Sequence, residues 1–256
     1  MLNRRLFSAS IAAAAATSML SSMVGAQTLG AARNVVLVHG AYADGSSWAR
    51  VIPLLQRVGL KVTAVQNPLS SFADDVAATR RILALQDGPT VLVAHSYGGM
   101  VISETGIDPK VTALVYIAAR APDAGEDYAA LAARFPTPPA SAGLVWADDF
   151  GQLNEEAFVR DFAGDLPPGE ARALCAVQGR VARSLFSSQT TAVAWRSKPS
   201  FYAVSTQDRT ISTELERFMA RRMKAQTIEI ASSHVSLLSH PAEVAGLIIS
   251  AARGAA

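Results

Sequence analysis

The chain has 256 residues, half of them hydrophobic and 17% charged, with a formal net charge of +2. This composition describes one well-filled domain, or one domain with a small insertion, and the lone Cys175 excludes an internal disulfide while no Cys or His cluster offers metal-ligand spacing. Without Arg4 and Arg5, which belong to the leader described next, 21 basic residues face 21 acidic ones, so no basic tract remains for a phosphate polymer and nucleic acid is excluded as a partner.

The first element is a targeting signal. Asn3-Arg4-Arg5-Leu6-Phe7 is followed by an Ala-rich apolar run at 11–16 and by the small residues Val24-Gly25-Ala26, so residues 1–26 are expected to be a signal peptide. The arginine pair, the adjacent Phe7 and the mild hydrophobicity favour the twin-arginine route over the general secretory one. Thr17, Ser18, Ser21 and Ser22 interrupt the run before the roughly 20 apolar residues that a membrane span needs. The expected location is periplasmic or secreted, with no membrane attachment once the leader is removed.

From Asn34 short β-branched runs alternate with longer amphipathic segments, the pattern of a parallel sheet covered on both faces. Strands are expected at 35–38, 62–65, 91–94, 111–117, 201–205 and 227–230, and Val35-Val36-Leu37-Val38 has the continuous apolarity of a strand buried on both sides. Helices are expected at 48–58, 74–85, 213–223 and 242–252, the last opened by Pro241, whose missing N–H costs nothing in a first turn. The alternation stops at 121–195, a Pro-rich stretch with helix-like pieces at 128–134, 155–162 and 170–178. That stretch reads as a helical cap inserted between two strands of a core formed by 34–120 and 196–256. Cys175 is expected to be a small core side chain within a cap helix.

The chemistry begins where Val91-Leu92-Val93-Ala94 runs into His95-Ser96-Tyr97-Gly98-Gly99 and then into a helix. A strand-turn-helix with Ser at its apex presents the hydroxyl at the carboxyl end of the sheet, where open α/β folds place their sites. Small residues two before and two after the Ser relieve the crowding of such a turn; they are Ala94, where the usual motif has Gly, and Gly98. The pentapeptide alone is weak evidence, and its context between a buried strand and a helix carries the weight.

A Ser hydroxyl needs a base within reach and a group that fixes the tautomer of that base. Of the four His residues, His39 lies in a turn with Gly40, His95 adjoins Ser96 but diverges from it, and His240 precedes Pro241 as a helix-cap position. His234 lies in a polar loop after the last strand, where the base must hang. Asp208, closing the preceding strand, gives the chain order Ser, Asp, His. Asp123 is the competing acid, and a surface pair with Arg209 is the competing reading of Asp208. The oxyanion donors are expected to be the backbone N–H groups of Tyr97 and Ala41, with Gly40 permitting the turn.

Val36 to Ala41, Asp44 to Trp48, His95 to Gly99, Asp208-Arg209-Thr210-Ile211 and Ser232 to Pro241 together resemble a bacterial group of α/β-hydrolase serine esterases, similar to plant methylester esterases and hydroxynitrile lyases. The resemblance covers nearly all of the chain after the leader. It implies an α/β-hydrolase fold, cleavage of a small-molecule carboxylic ester without a cofactor, Ser96, Asp208 and His234 as the triad, and Ala41 and Tyr97 as the oxyanion hole. Cyanohydrin-cleaving relatives carry a Lys after the catalytic His and a Thr at the position of Gly40; here the residues are Val235 and Gly40, which disfavours that chemistry. The cap aromatics Trp146, Phe150, Phe158, Phe162, Phe186 and Trp195 carry no concentration of positive charge around them, so an uncharged apolar ester is expected. Gly40, Tyr42, Trp146 and Val235 are the expected pocket residues. Two rival functions stay open, cofactor-free haloperoxidase or perhydrolase chemistry with the same triad, and a ligand-binding protein that keeps the fold without turnover.

Overall fold

The computed structural model describes residues 31–254; the expected leader at 1–26 lies outside them. Six strands form one sheet: β1 (Asn34–Val38), β2 (Lys61–Ala64), β3 (Thr90–His95), β4 (Val111–Ile117), β8 (Ser200–Ser205) and β9 (Gln226–Ile230). Their order is β2-β1-β3-β4-β8-β9 and every pairing is parallel. The central strands β1 and β3 are buried at every residue, as continuous apolar runs demand when helices cover both faces. The edges carry the charge instead: Lys61 on β2 and Glu229 on β9 are exposed, which blunts edge-to-edge pairing.

Helices α1 (Ile52–Arg57), α2 (Phe72–Ala84), α3 (Gly98–Thr105), α7 (Thr213–Arg222), α8 (Ser236–Ser239) and α9 (Pro241–Ala252) cover the sheet. The expected helix at 48–58 is split into a 3-10 turn, Gly45–Trp48, and α1, which restarts with Pro53 in its first turn. Ser71 caps α2 by accepting from the N–H of Asp74 at 3.1 Å, and Asp74 and Asp75 occupy the first turn, where the helix dipole favours acids. Every residue of α3 is buried.

The chain runs outward from β1 to β2 and then returns to place β3 on the other side of β1. The carboxyl ends of β1 and β3 therefore flank a topological switch point, the position at which open α/β sheets form a crevice. Val38 at the end of β1 is in register with Ala94 near the end of β3, so the loops carrying His39 to Tyr42 and Ser96 leave the sheet side by side.

Between β4 and β8 lies the cap, with α4 (Tyr128–Ala132), α5 (Glu155–Ala157) and α6 (Pro168–Ala176). It is not purely helical. Strands β5 (Leu144–Ala147), β6 (Phe150–Leu153) and β7 (Val181–Ala182) form a small antiparallel sheet. A tight turn at Asp148-Asp149 joins the first two, with Asp148 at φ 53, a left-handed conformation that short polar side chains tolerate. Cys175 sits in α6 as expected but is only half-buried.

Glu104 of α3 ties the far end of the cap to the core, accepting from the N–H groups of Thr191 at 2.7 Å and Ala192 at 2.9 Å and from the Thr191 hydroxyl at 2.6 Å. Replacing Glu104 by Ala removes three charge-assisted bonds and should destabilise the protein by about 2 kcal/mol or more, read as a lowered urea midpoint together with faster proteolysis between 181 and 195.

Candidate active site

Ser96 stands directly after β3 with φ 53, a strained conformation for a residue with a Cβ. Three backbone bonds hold it there: Ser96 N–H donates to Ile117 O at 3.1 Å, and Ser96 O accepts from Gly99 N at 3.0 Å and Arg120 N at 2.9 Å. The turn admits no bulk around it. A Cβ on Gly98 would lie 2.8 Å from His39 O, and one on Gly99 would lie 2.2 Å from Arg120 O. Gly40 permits its turn for the same reason, since a Cβ there would meet Ser96 Cβ at 2.7 Å. A Thr there would push directly on the Ser96 side chain.

His234 and Asp208 meet in a dry environment. His234 Nδ1 lies 2.5 Å from Asp208 Oδ2, with both side chains fully buried. Asp208 Oδ1 accepts from Thr210 N at 2.6 Å and Ile211 N at 2.9 Å, so the carboxylate is oriented by its own loop. His234 Nε2 is buried and has no hydrogen-bond partner. The Phe162 ring lies 5.1 Å and the His95 ring 4.6 Å from the His234 ring. The expected competitors are engaged elsewhere. Asp123 is paired with Arg196, and Arg209 turns away from Asp208 to donate to Asp161 at 2.7 Å.

The other His residues build the scaffold of the site. His39 Nε2 accepts from Asn67 N at 2.9 Å while Nδ1 faces Gly40 O at 2.9 Å, which assigns the proton to Nδ1; burial lowers its pKa and keeps it neutral. His95 Nε2 donates to the carbonyl of His234 at 2.9 Å, fastening the loop of His234 to the end of β3. Burial first, and then the neighbouring His234, hold His95 well below the usual His range. His240 occupies the N-cap position of α9, but its side chain makes no cap bond.

Neither the Ala41 N–H nor the Tyr97 N–H donates to a protein acceptor among the described residues. Both residues are buried, and their N–H groups are uncommitted among the described residues. Tyr42 and Val235 line a narrow apolar space with His95, Phe158, Phe162 and Leu174, whose volume of about 20 Å³ holds little more than one water. Gly40 and Trp146 do not line it. Trp146 stands on β5, where its ring covers Gly151 of the facing strand, packs on Phe186 at 5.5 Å and carries Arg183 at 3.9 Å.

Three supporting residues were not singled out from the sequence. Asp75 of α2 accepts from Tyr97 Oη at 2.8 Å and from Leu69 N at 2.9 Å, anchoring the residue that follows Ser96. Asp165 of the cap accepts from Ser233 N at 2.9 Å and Ser233 Oγ at 2.5 Å, gripping the loop next to His234. Glu216 of α7 is fully buried, accepts from Ser205 N at 3.1 Å and leaves Oε1 unpartnered. Burial, and then the charge of Asp208, raise the Glu216 carboxyl well above its usual range.

Burial is also the largest influence on Asp75, pushing its carboxyl up to about 6. The folded state thus holds its proton more tightly than the unfolded chain does, so the contribution of Asp75 to stability is fully present below about pH 4 and is lost as pH rises through about 6. Asp75→Asn should remove that part of the slope, worth up to about 3 kcal/mol, in urea unfolding measured from pH 4 to pH 7. An unchanged slope would contradict the assignment.

Residues 35–247 match the Alpha/beta hydrolase family. Among curated proteins, a carbendazim hydrolyzing esterase from Nocardioides sp. (strain SG-4G) is 31% identical over 44% of this chain and 52% of its own length. Salicylic acid-binding protein 2 from Nicotiana tabacum is 32% identical over 36% of this chain and 41% of its own. The chain thus spans about half or less of the length of these curated relatives. Among solved structures, a pyrethroid hydrolase from Sphingobium faniae JZ-2 superposes with a TM-score of 0.73 at 21% identity, covering 88% of this chain and 98% of that one. Polyneuridine aldehyde esterase does so with a TM-score of 0.72 at 20% identity, covering 86% and 98%. With a family match running from β1 into α9 and the same fold in these structures, the chain belongs to the alpha/beta hydrolase family.

Proposed function

We propose that this protein is a serine esterase that cleaves carboxylic esters of small, largely apolar substrates through an acyl-enzyme. One observation carries the reading: a buried His234 is fixed through Nδ1 by Asp208 at 2.5 Å and keeps Nε2 free, in the site where Ser96 is held at the end of β3. That is the arrangement required of a base about to accept a proton. The esterase names among relatives at 31% and 33% identity support the same chemistry.

In the proposed cycle Ser96 Oγ attacks the ester carbonyl and His234 Nε2 takes its proton, while Asp208 stays ionised against the imidazolium. The N–H groups of Ala41 and Tyr97 receive the oxyanion. Collapse of the tetrahedral species returns the proton from His234 to the departing alcohol. Water then repeats the attack on the acyl-enzyme, with His234 again as base. The resting structure shows no hydrogen bond from Ser96 Oγ to His234; such bonds commonly tighten only when substrate is bound.

Ser96→Ala should lower turnover of a p-nitrophenyl short-chain ester by about a thousandfold or more, with an unchanged circular dichroism spectrum. Retention of a tenth of the rate would rule out Ser96 as nucleophile. An acetate and peroxide halogenation assay run beside it separates ester hydrolysis from perhydrolase chemistry.

A further inference from the structure

Arg120 follows β4 and its N–H is bonded to the carbonyl of Ser96 at 2.9 Å. Its side chain has an unusual environment for a cation. The guanidinium lies 4.6 Å over the Tyr128 ring and 5.8 Å from the Phe186 ring, Nε is buried without a partner, and no carboxylate forms an ion pair with it among the described residues. Nearby acids are committed to other groups: Asp208 to His234, Asp123 to Arg196, Glu126 to Arg222, and Asp127 to the first turn of α4. Burial raises the Glu216 carboxyl well above its usual range.

This arginine lines a cavity of about 240 Å³ together with Tyr128, Phe186, Thr210, Ile211 and Leu215. The cavity is far larger than the apolar space on the His95 side. Thr210 and Ile211 are the residues whose N–H groups hold Asp208, so one wall of the cavity is the loop of the triad acid, and Arg120 joins another wall to the backbone of Ser96. The Tyr128 hydroxyl shares a hydrogen bond with Arg120, and the rest of the planar guanidinium, which pairs with no carboxylate among the described residues, has the fork that matches the two oxygens of a carboxylate. Burial pushes the Tyr128 phenol up to about 12, so it remains a hydroxyl that can donate to the same anion.

We propose that Arg120 determines specificity by binding a carboxylate carried on the ester substrate, so that the preferred substrates are esters with a free carboxylate at their distal end. The proposal rests on the esterase reading and extends it. On this proposal the ester is apolar except at its distal end, where a single partly buried cation suffices for recognition without a cluster of charge.

The test compares p-nitrophenyl adipate with its distal carboxyl free or methylated. The wild-type protein should favour the free acid at least tenfold in kcat/KM, and Arg120→Met should reduce that ratio at least tenfold, chiefly through KM. Arg120→Lys, which keeps the charge without the planar fork, should retain part of the preference. The same pair is titrated by calorimetry into Ser96→Ala protein, where the free acid should bind at least tenfold tighter and lose that advantage when Arg120→Met is added. Hydrolysis without discrimination, or a ratio unchanged by Arg120→Met, overturns the carboxylate site and leaves the esterase reading standing. Discrimination in binding without hydrolysis by the wild type supports the site and overturns the esterase reading.

Discussion

The structure depends on one crowded turn. At the end of β3 the chain must pass from a strand to a helix beside the loop from β1 and the loop from β4, and Ser96 takes up the change at φ 53. A non-glycine residue in that region costs about 1 kcal/mol or more, and it persists because the neighbours leave no alternative. Glycines at 40, 98 and 99 let the loops from β1 and β4 approach the Ser96 turn, and bonds from Gly99 and Arg120 close on the Ser96 carbonyl. The position of the hydroxyl is thus a consequence of sheet topology, because only the switch between β1 and β3 brings those loops together.

The charges around the turn are arranged so that few of them compete. His39 and His95 are kept neutral by burial and serve as backbone props. Burial raises the Glu216 carboxyl behind Asp208 well above its usual range, and Asp161 absorbs both Arg160 and Arg209, which leaves Asp208 facing His234. The cap contributes directly to this order. Phe162 packs against the His234 ring, and Asp165 holds the neighbouring Ser233, so movement of the cap and the setting of the base are mechanically linked.

Much of this was legible in the sequence because burial on both faces of a parallel sheet writes itself as continuous apolar runs. The six strands and the helices at 213–223 and 242–252 follow from those runs and from helical spacing, and His234 and Asp208 stand on the loops that such a sheet makes available. The cap hairpin was hidden because Asp148-Asp149 turns the chain without Gly or Pro, and because a Trp146 folded over Gly151 reads like any cap aromatic. Asp75 and Glu216 were hidden for a different reason: acids in helices look solvated until the face is known. A signal was present, since Asp75 shares a stripe with Thr79 and Leu83, and Glu216 with Met219 and Ala220, all of them buried. Arg120 left no trace in local pattern, because its significance comes from the lack of a counter-charge in three dimensions.

The central claim is that the hydroxyl at the β3 turn is the activated one. Incubating the protein with a fluorophosphonate and mapping the adduct by peptide mass spectrometry tests it directly. The account predicts a single stoichiometric adduct on Ser96 that fails to form in His234→Ala; modification at another residue, or an inert Ser96 in folded protein, would contradict it.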